Sequence, residues 1–187
     1  IKVVPKSASA LEDLYEVEGG GSVTEGAYLR ESELGNIKTI FWAFNIVDYS
    51  PFIDAEVSLP GGDKTTIVGA WYNHHMELPT GETLDTGIQN LRSWWDIEEG
   101  SWLNEQSTAQ DENSIMVGAV LAEKEGIKVG DTVKLSNKNA SKEMNVVGIF
   151  DAGGDEDDEI FASLAAVQAF AAAKGNVSSI EIGRAHV

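Results

Sequence analysis

The chain has 187 residues, of which 31 are Asp or Glu and 13 are Lys or Arg, giving a formal net charge of -18 at pH 7. This length suits one domain, or two small subdomains, with a core that needs no staples. The charge argues against non-specific nucleic-acid binding and against docking on anionic lipid headgroups, and the absence of cysteine excludes disulfides, zinc-thiolate sites, cysteine-ligated clusters and thiol catalysis.

In chain order, a short apolar start (Ile1–Val4) and a strand around Leu14–Val17 precede a flexible Gly19-Gly20-Gly21 joint. Glu25–Leu34 has helical composition and should stop at Gly35-Asn36. Ile37–Val47 reads as a buried strand or short buried helix, and Ser50-Pro51 as a break. Glu56–Leu59 and Thr65–Ala70 form a predicted hairpin around Pro60-Gly61-Gly62-Asp63. Trp71–Gly87 reads as irregular, Ile88–Trp95 as a helix or extended arm, and Glu99-Gly100 and Asn104–Asn113 as loops. The last third is clearest. A strand at Ser114–Val117 leads to a helix at Ala119–Glu125 capped by Gly126, and the strands Thr132–Leu135 and Glu143–Phe150 flank a polar turn. An acidic loop follows at Asp151–Glu159. A helix capped by Ser163 should run to Lys174 and stop at Gly175, before a strand at Val177–Ile182. Strands and helices mix without regular βαβ spacing, so the fold class is α+β.

The run Leu164–Ala173 is the longest nearly apolar one, and a spanning helix needs about 20 residues. The chain starts at Ile1, holds methionine only at 76, 116 and 144, and shows no signal peptide, so it reads as a fragment. The final EIGRAHV resembles a translated sequencing-library adapter, and Gly183–Val187 are set aside as a doubtful tail.

Few constellations point to chemistry. The acidic loop could supply oxygens to Ca²⁺, but its spacing is not that of an EF-hand; a solvated loop is the plainer reading. His74 and His75 lie near Glu77, but adjacent histidines on a strand point to opposite faces, and the third histidine is His186. No Gly-x-Ser-x-Gly elbow and no nucleotide fingerprint is present. The residues thus indicate no catalytic, cofactor or metal site. The five tryptophans fill a core or form a contact surface. Candidate partner contacts are Trp94, Trp95 and the acidic residues Asp155, Glu156, Asp157 and Asp158.

The ordered series Ile115–Ala122 (IMVGAVLA), Gly126–Val133 (GIKVGDTV), Val146–Phe150 (VVGIF), Gly153–Asp158 (GGDEDD), Ile160-Phe161, Leu164–Gln168 and Ser178–Ile182 resembles the extracytoplasmic domain of FtsX-type ABC permeases, the MacB-like periplasmic core domain. Thr39–Trp42, Asn45-Ile46, Pro51-Phe52, Val68–Tyr72, Thr86-Gly87 and Trp94-Trp95 fit a subgroup of these permeases. The likeness covers residues 1–182, more loosely in the first two thirds. It implies a porter-like mixed part with a β-rich subdomain inserted within roughly 55–115. It further implies a non-enzymatic domain between two transmembrane helices of a dimeric permease, coupled to a separate cytoplasmic ATP-binding subunit and contacting cargo or a partner protein. The alternatives are a free-standing secreted binding domain, calcium-dependent through its acidic loop, and, last, a hydrolase.

Overall fold

A computed structural model describes residues 1–5, 28–40 and 43–184, apart from the side chains of Phe44 and Arg184. The expected strand at Leu14–Val17, the triple-glycine joint, Trp42 and His186 lie outside the described residues.

Nine strands form one sheet among the described residues, in the order β1-β13-β3-β4-β11-β8-β10-β7, with β9 joined to β10 and to β3. The strands are β1 (Lys2–Val3), β3 (Ile46–Ser58), β4 (Lys64–Ala70), β7 (Asp96–Gly100), β8 (Ser114–Gly118), β9 (Thr132–Ser136), β10 (Ser141–Asp151), β11 (Ile160–Ser163) and β13 (Ser179–Arg184). Among the described residues, two small two-stranded sheets stand apart: β2 (Leu29–Arg30) with β12 (Asn176–Val177), and β5 (His74–Glu77) with β6 (Thr83–Thr86). The main sheet contains both antiparallel ladders and two parallel ones, β10 with β8 and β11 with β4. A single bridge, Ser58 opposite Ser136, brings β9 back to β3, so β3-β4-β11-β8-β10-β9 closes into a ring. Among the described residues, three short α-helices, α1 (Ile88–Leu91), α2 (Ala119–Glu125) and α3 (Leu164–Phe170), complete the expected α+β class.

Both sides of the sheet are covered. Every residue of β8 is buried, as expected of a strand packed on both faces. Ile115, Val117, Ile160 and Ala162 join the large aliphatic core. Their alternates Met116 and Phe161 join an aromatic core with Tyr72, Trp95 and Phe150.

The locally encoded elements form as expected: the β3–β4 and β9–β10 hairpins, α2 ending at Gly126, and α3 capped by the Ser163 hydroxyl. Five expectations need correction. Glu31–Thr39 is a 3-10 helix that runs through Gly35-Asn36. Pro51 lies inside β3, where the partner changes: β13 pairs with Ile46–Phe52 and β4 with Phe52–Ser58. There the Ser50 hydroxyl accepts from the Trp71 amide (3.1 Å) and lies 3.2 Å from the Trp71 carbonyl, in place of a backbone ladder bond. The stretch expected to be irregular holds β5 and β6, and Glu99-Gly100 belongs to β7. Finally, α3 ends at Phe170, and Ala172 takes a φ of 51° before Gly175.

Candidate contact surface

The two candidate regions meet at one end of the β7–β10 ladder. β7 starts at Asp96, immediately after Trp95, and β10 ends at Asp151, where the acidic run begins. The register sets Asp96 opposite Asp151 and Ile97 opposite Phe150, while Glu98 is the extra residue of a bulge.

The tryptophan pair divides between core and solvent. Trp95 is 5% exposed. Its ring stacks on Phe150 at 4.4 Å and meets Phe161 edge-on at 4.9 Å. Trp94 is 63% exposed. The Arg92 guanidinium lies over its ring, 5.5 Å from the centroid.

The acidic run divides in the same way. Asp157 is 8% exposed, and its two carboxylate oxygens accept from the backbone amides of Ala152 (2.6 Å) and Gly154 (3.1 Å). It therefore ties its own turn together. Asp155 and Asp158 face solvent and Glu156 is half-buried. The turn is moored to the sheet by the Thr65 hydroxyl on the Asp158 carbonyl and the Gly118 amide on the Glu159 carbonyl. Gly118 permits this approach, because a Cβ there would sit 2.3 Å from the Asp157 carbonyl oxygen. Glu159 is half-buried, and burial, then the charges of Glu156, Asp54, Asp155 and Asp158, push its carboxyl up to about 7.

Among the described residues, no group of three His, Asp or Glu side chains is placed to hold a metal ion. The histidines point apart and each is engaged: His74 Nδ1 with Glu105 (2.7 Å) and His75 Nδ1 with Asp85 (2.6 Å). Glu105 also accepts from the Tyr72 amide and helps hold the loop after β7 against the start of β5.

The family model of the MacB-like periplasmic core domain matches residues 2–183. The chain belongs to this family. It is thus an extracytoplasmic domain of the MacB-like permease type. The fold is similar to the periplasmic region of MacB from Actinobacillus actinomycetemcomitans, with TM-score 0.59 and 10% identity, covering 98% of this chain and 72% of that one. It is also similar to the extracellular domain of the noncanonic ABC-type transporter YknZ from Gram-positive bacteria, with TM-score 0.62 and 10% identity, covering 100% of this chain and 83% of that one. No curated protein matches the sequence. Among the described residues, no helix is long and apolar enough to cross a membrane.

In this MacB-like domain the first and last strands are hydrogen-bonded neighbours. Lys2 lies opposite Glu181 and Val3 opposite Ile180, and the Ile182 amide donates to the Ile1 carbonyl at 2.7 Å. One residue that sequence analysis passed over connects this strand pair to the tryptophans. Arg92 Nη2 is 2.6 Å from Glu181 Oε2 on β13. The preceding helix α1 is lodged against β3 and β13: Asn90 donates to Asp48 on β3, and a Cβ on Gly183 of β13 would lie 2.8 Å from Leu91 Cδ2. The legible signal was a cation two residues before a Trp; its carboxylate partner is 89 residues away in sequence and gave no local sign.

Proposed function

We propose that this domain is the outer, non-enzymatic part of an ABC transporter permease and relays ATP-driven movement from the membrane to an outside contact surface. Its partners in this reading are a cytoplasmic ATP-binding subunit, reached through the membrane part, and a second permease copy. The observation that supports it is the β1–β13 pairing. The strands β1 and β13 lie side by side, and β13 is bonded along its length to the 13-residue strand β3. A displacement delivered to that pair would move the packed sheet as one body, because close-packed interiors deform little. The outside contacts are Trp94, Asp155, Glu156 and Asp158, supported from behind by Trp95 and Asp157.

This domain holds no cysteine, so spin labels can be placed in it once any cysteines elsewhere in the full-length permease and its ATP-binding subunit have been replaced. Val47 and Val120 are exposed, so cysteines there report one distance within the domain and, singly, distances between copies. We expect the inter-copy distance to change between nucleotide-free and ATP-trapped states while the internal distance stays constant. An unchanged inter-copy distance overturns the relay.

A further inference from the structure

We propose that Trp94 and the acidic end of the β7–β10 ladder form a docking surface for a cationic segment of a partner protein, with Arg92 as the positioning residue. The inference deepens the contact role given to Trp94 above and rests on it.

Trp94 is the most exposed of the large apolar side chains among the described residues. An exposed indole gains strongly from being covered by a partner, and Trp is enriched among residues that dominate interfaces. The ring does not hang free: the Arg92 guanidinium lies over it, and Glu181 holds that guanidinium in turn. Next along the chain, Asp96, Glu98 and Glu99 are exposed on β7, Asp151 is exposed opposite Asp96, and Asp155 and Asp158 are exposed in the turn that follows β10. None of these six carboxylates takes part in an ion pair among the described residues.

That pairing of features selects the partner's chemistry. A lysine or arginine can lay its aliphatic stem on the indole and carry its charge to a nearby carboxylate. An anionic partner would be repelled, and a purely apolar one would cover carboxylates without pairing them, at a large desolvation penalty. The acids run along β7 from Asp96 to Glu99, so an extended segment with several cations matches the surface better than a single small cation.

The test uses this chain and a fluorescein-labelled decapeptide alternating lysine and leucine, with a glutamate-for-lysine peptide as control, read by anisotropy at about 0.15 M salt. The lysine peptide should bind and the glutamate peptide should not. Trp94→Ala should weaken binding at least about tenfold with an unchanged circular dichroism spectrum, whereas the distant pair Glu77→Gln and Glu143→Gln should leave it within about twofold. Arg92→Gln separates positioning from charge. Removing a cation should tighten a purely electrostatic complex, so weaker binding identifies the ring's orientation as the controlling factor. Equal binding by wild type and Trp94→Ala, or no binding by wild type, overturns the docking surface; tighter binding by Arg92→Gln overturns its positioning role. A negative result here leaves the relay experiment standing, because that experiment reads nucleotide-driven distances rather than peptide affinity.

Discussion

Trp94 and Trp95 are neighbours in sequence with opposite surroundings, and their substitutions should have opposite effects. Trp95→Ala removes a ring packed on Phe150 and Phe161 and should destabilise the domain by about 3 to 5 kcal/mol. Trp94→Ala should change stability by no more than about 0.5 kcal/mol. Chemical denaturation of the two variants checks both. Glu159 gives a pH dependence of definite sign. Its carboxyl is raised from 4.5 to about 7 in the folded chain. Below 4.5 both folded and unfolded chains carry the proton; as pH rises to 7 the unfolded chain ionises first, so stability is lost through that window. Glu159→Gln should therefore melt higher than wild type above pH 7, by about 1 kcal/mol after allowance for solvent screening of a half-exposed group, and the difference should vanish near pH 4. An equal difference at both pH values would rule out ionisation as the cause.

At the scale of elements, the segment from α1 to Trp95 is a clamp with two anchors. One is the Arg92–Glu181 pair on β13, and the other is the Trp95 ring in the aromatic core. Arg92→Gln should release the first anchor only. Amide exchange at Ile182, whose N–H is bonded to Ile1, should then accelerate several-fold while amides of β8 stay protected; unchanged exchange at Ile182 would show that the pair does not support the strand. The same elements show what sequence can reveal. Gly126, Ser163 and Pro60–Asp63 act on residues next to them, and α2, the α3 cap and the β3–β4 turn were readable for that reason. Pro51 in mid-strand, β5–β6 within Trp71–Gly87 and β7 at Glu99-Gly100 depend on partners far along the chain: Trp71, a returning strand, and β10. Local composition there signals turns, and tertiary pairing overrides it. The site was half legible for the same reason. The tryptophans and acids stood out as residue types, but their meeting at one ladder end follows from the β7–β10 register, and the inward turn of Asp157 from the amides of Ala152 and Gly154.

For the molecule as a whole, the ring closed at Ser58 and Ser136 bears on how the domain behaves among its own copies. Open strand rims are templates on which identical chains stack into aggregates. Here β4, β11, β8 and β10 each have neighbours on both sides, and the Ser58–Ser136 bridge joins β9 to β3 at one point. On the β7 side, the rim that remains is bent by the bulge at Glu98 and studded with like charges. Two such rims brought together in a crowded compartment would push each other away before a hydrogen bond could form. The carboxylates that invite a cationic visitor thus also act as a guard against self-recognition, so neighbouring permeases could work at close quarters without their outer domains fusing into a common sheet.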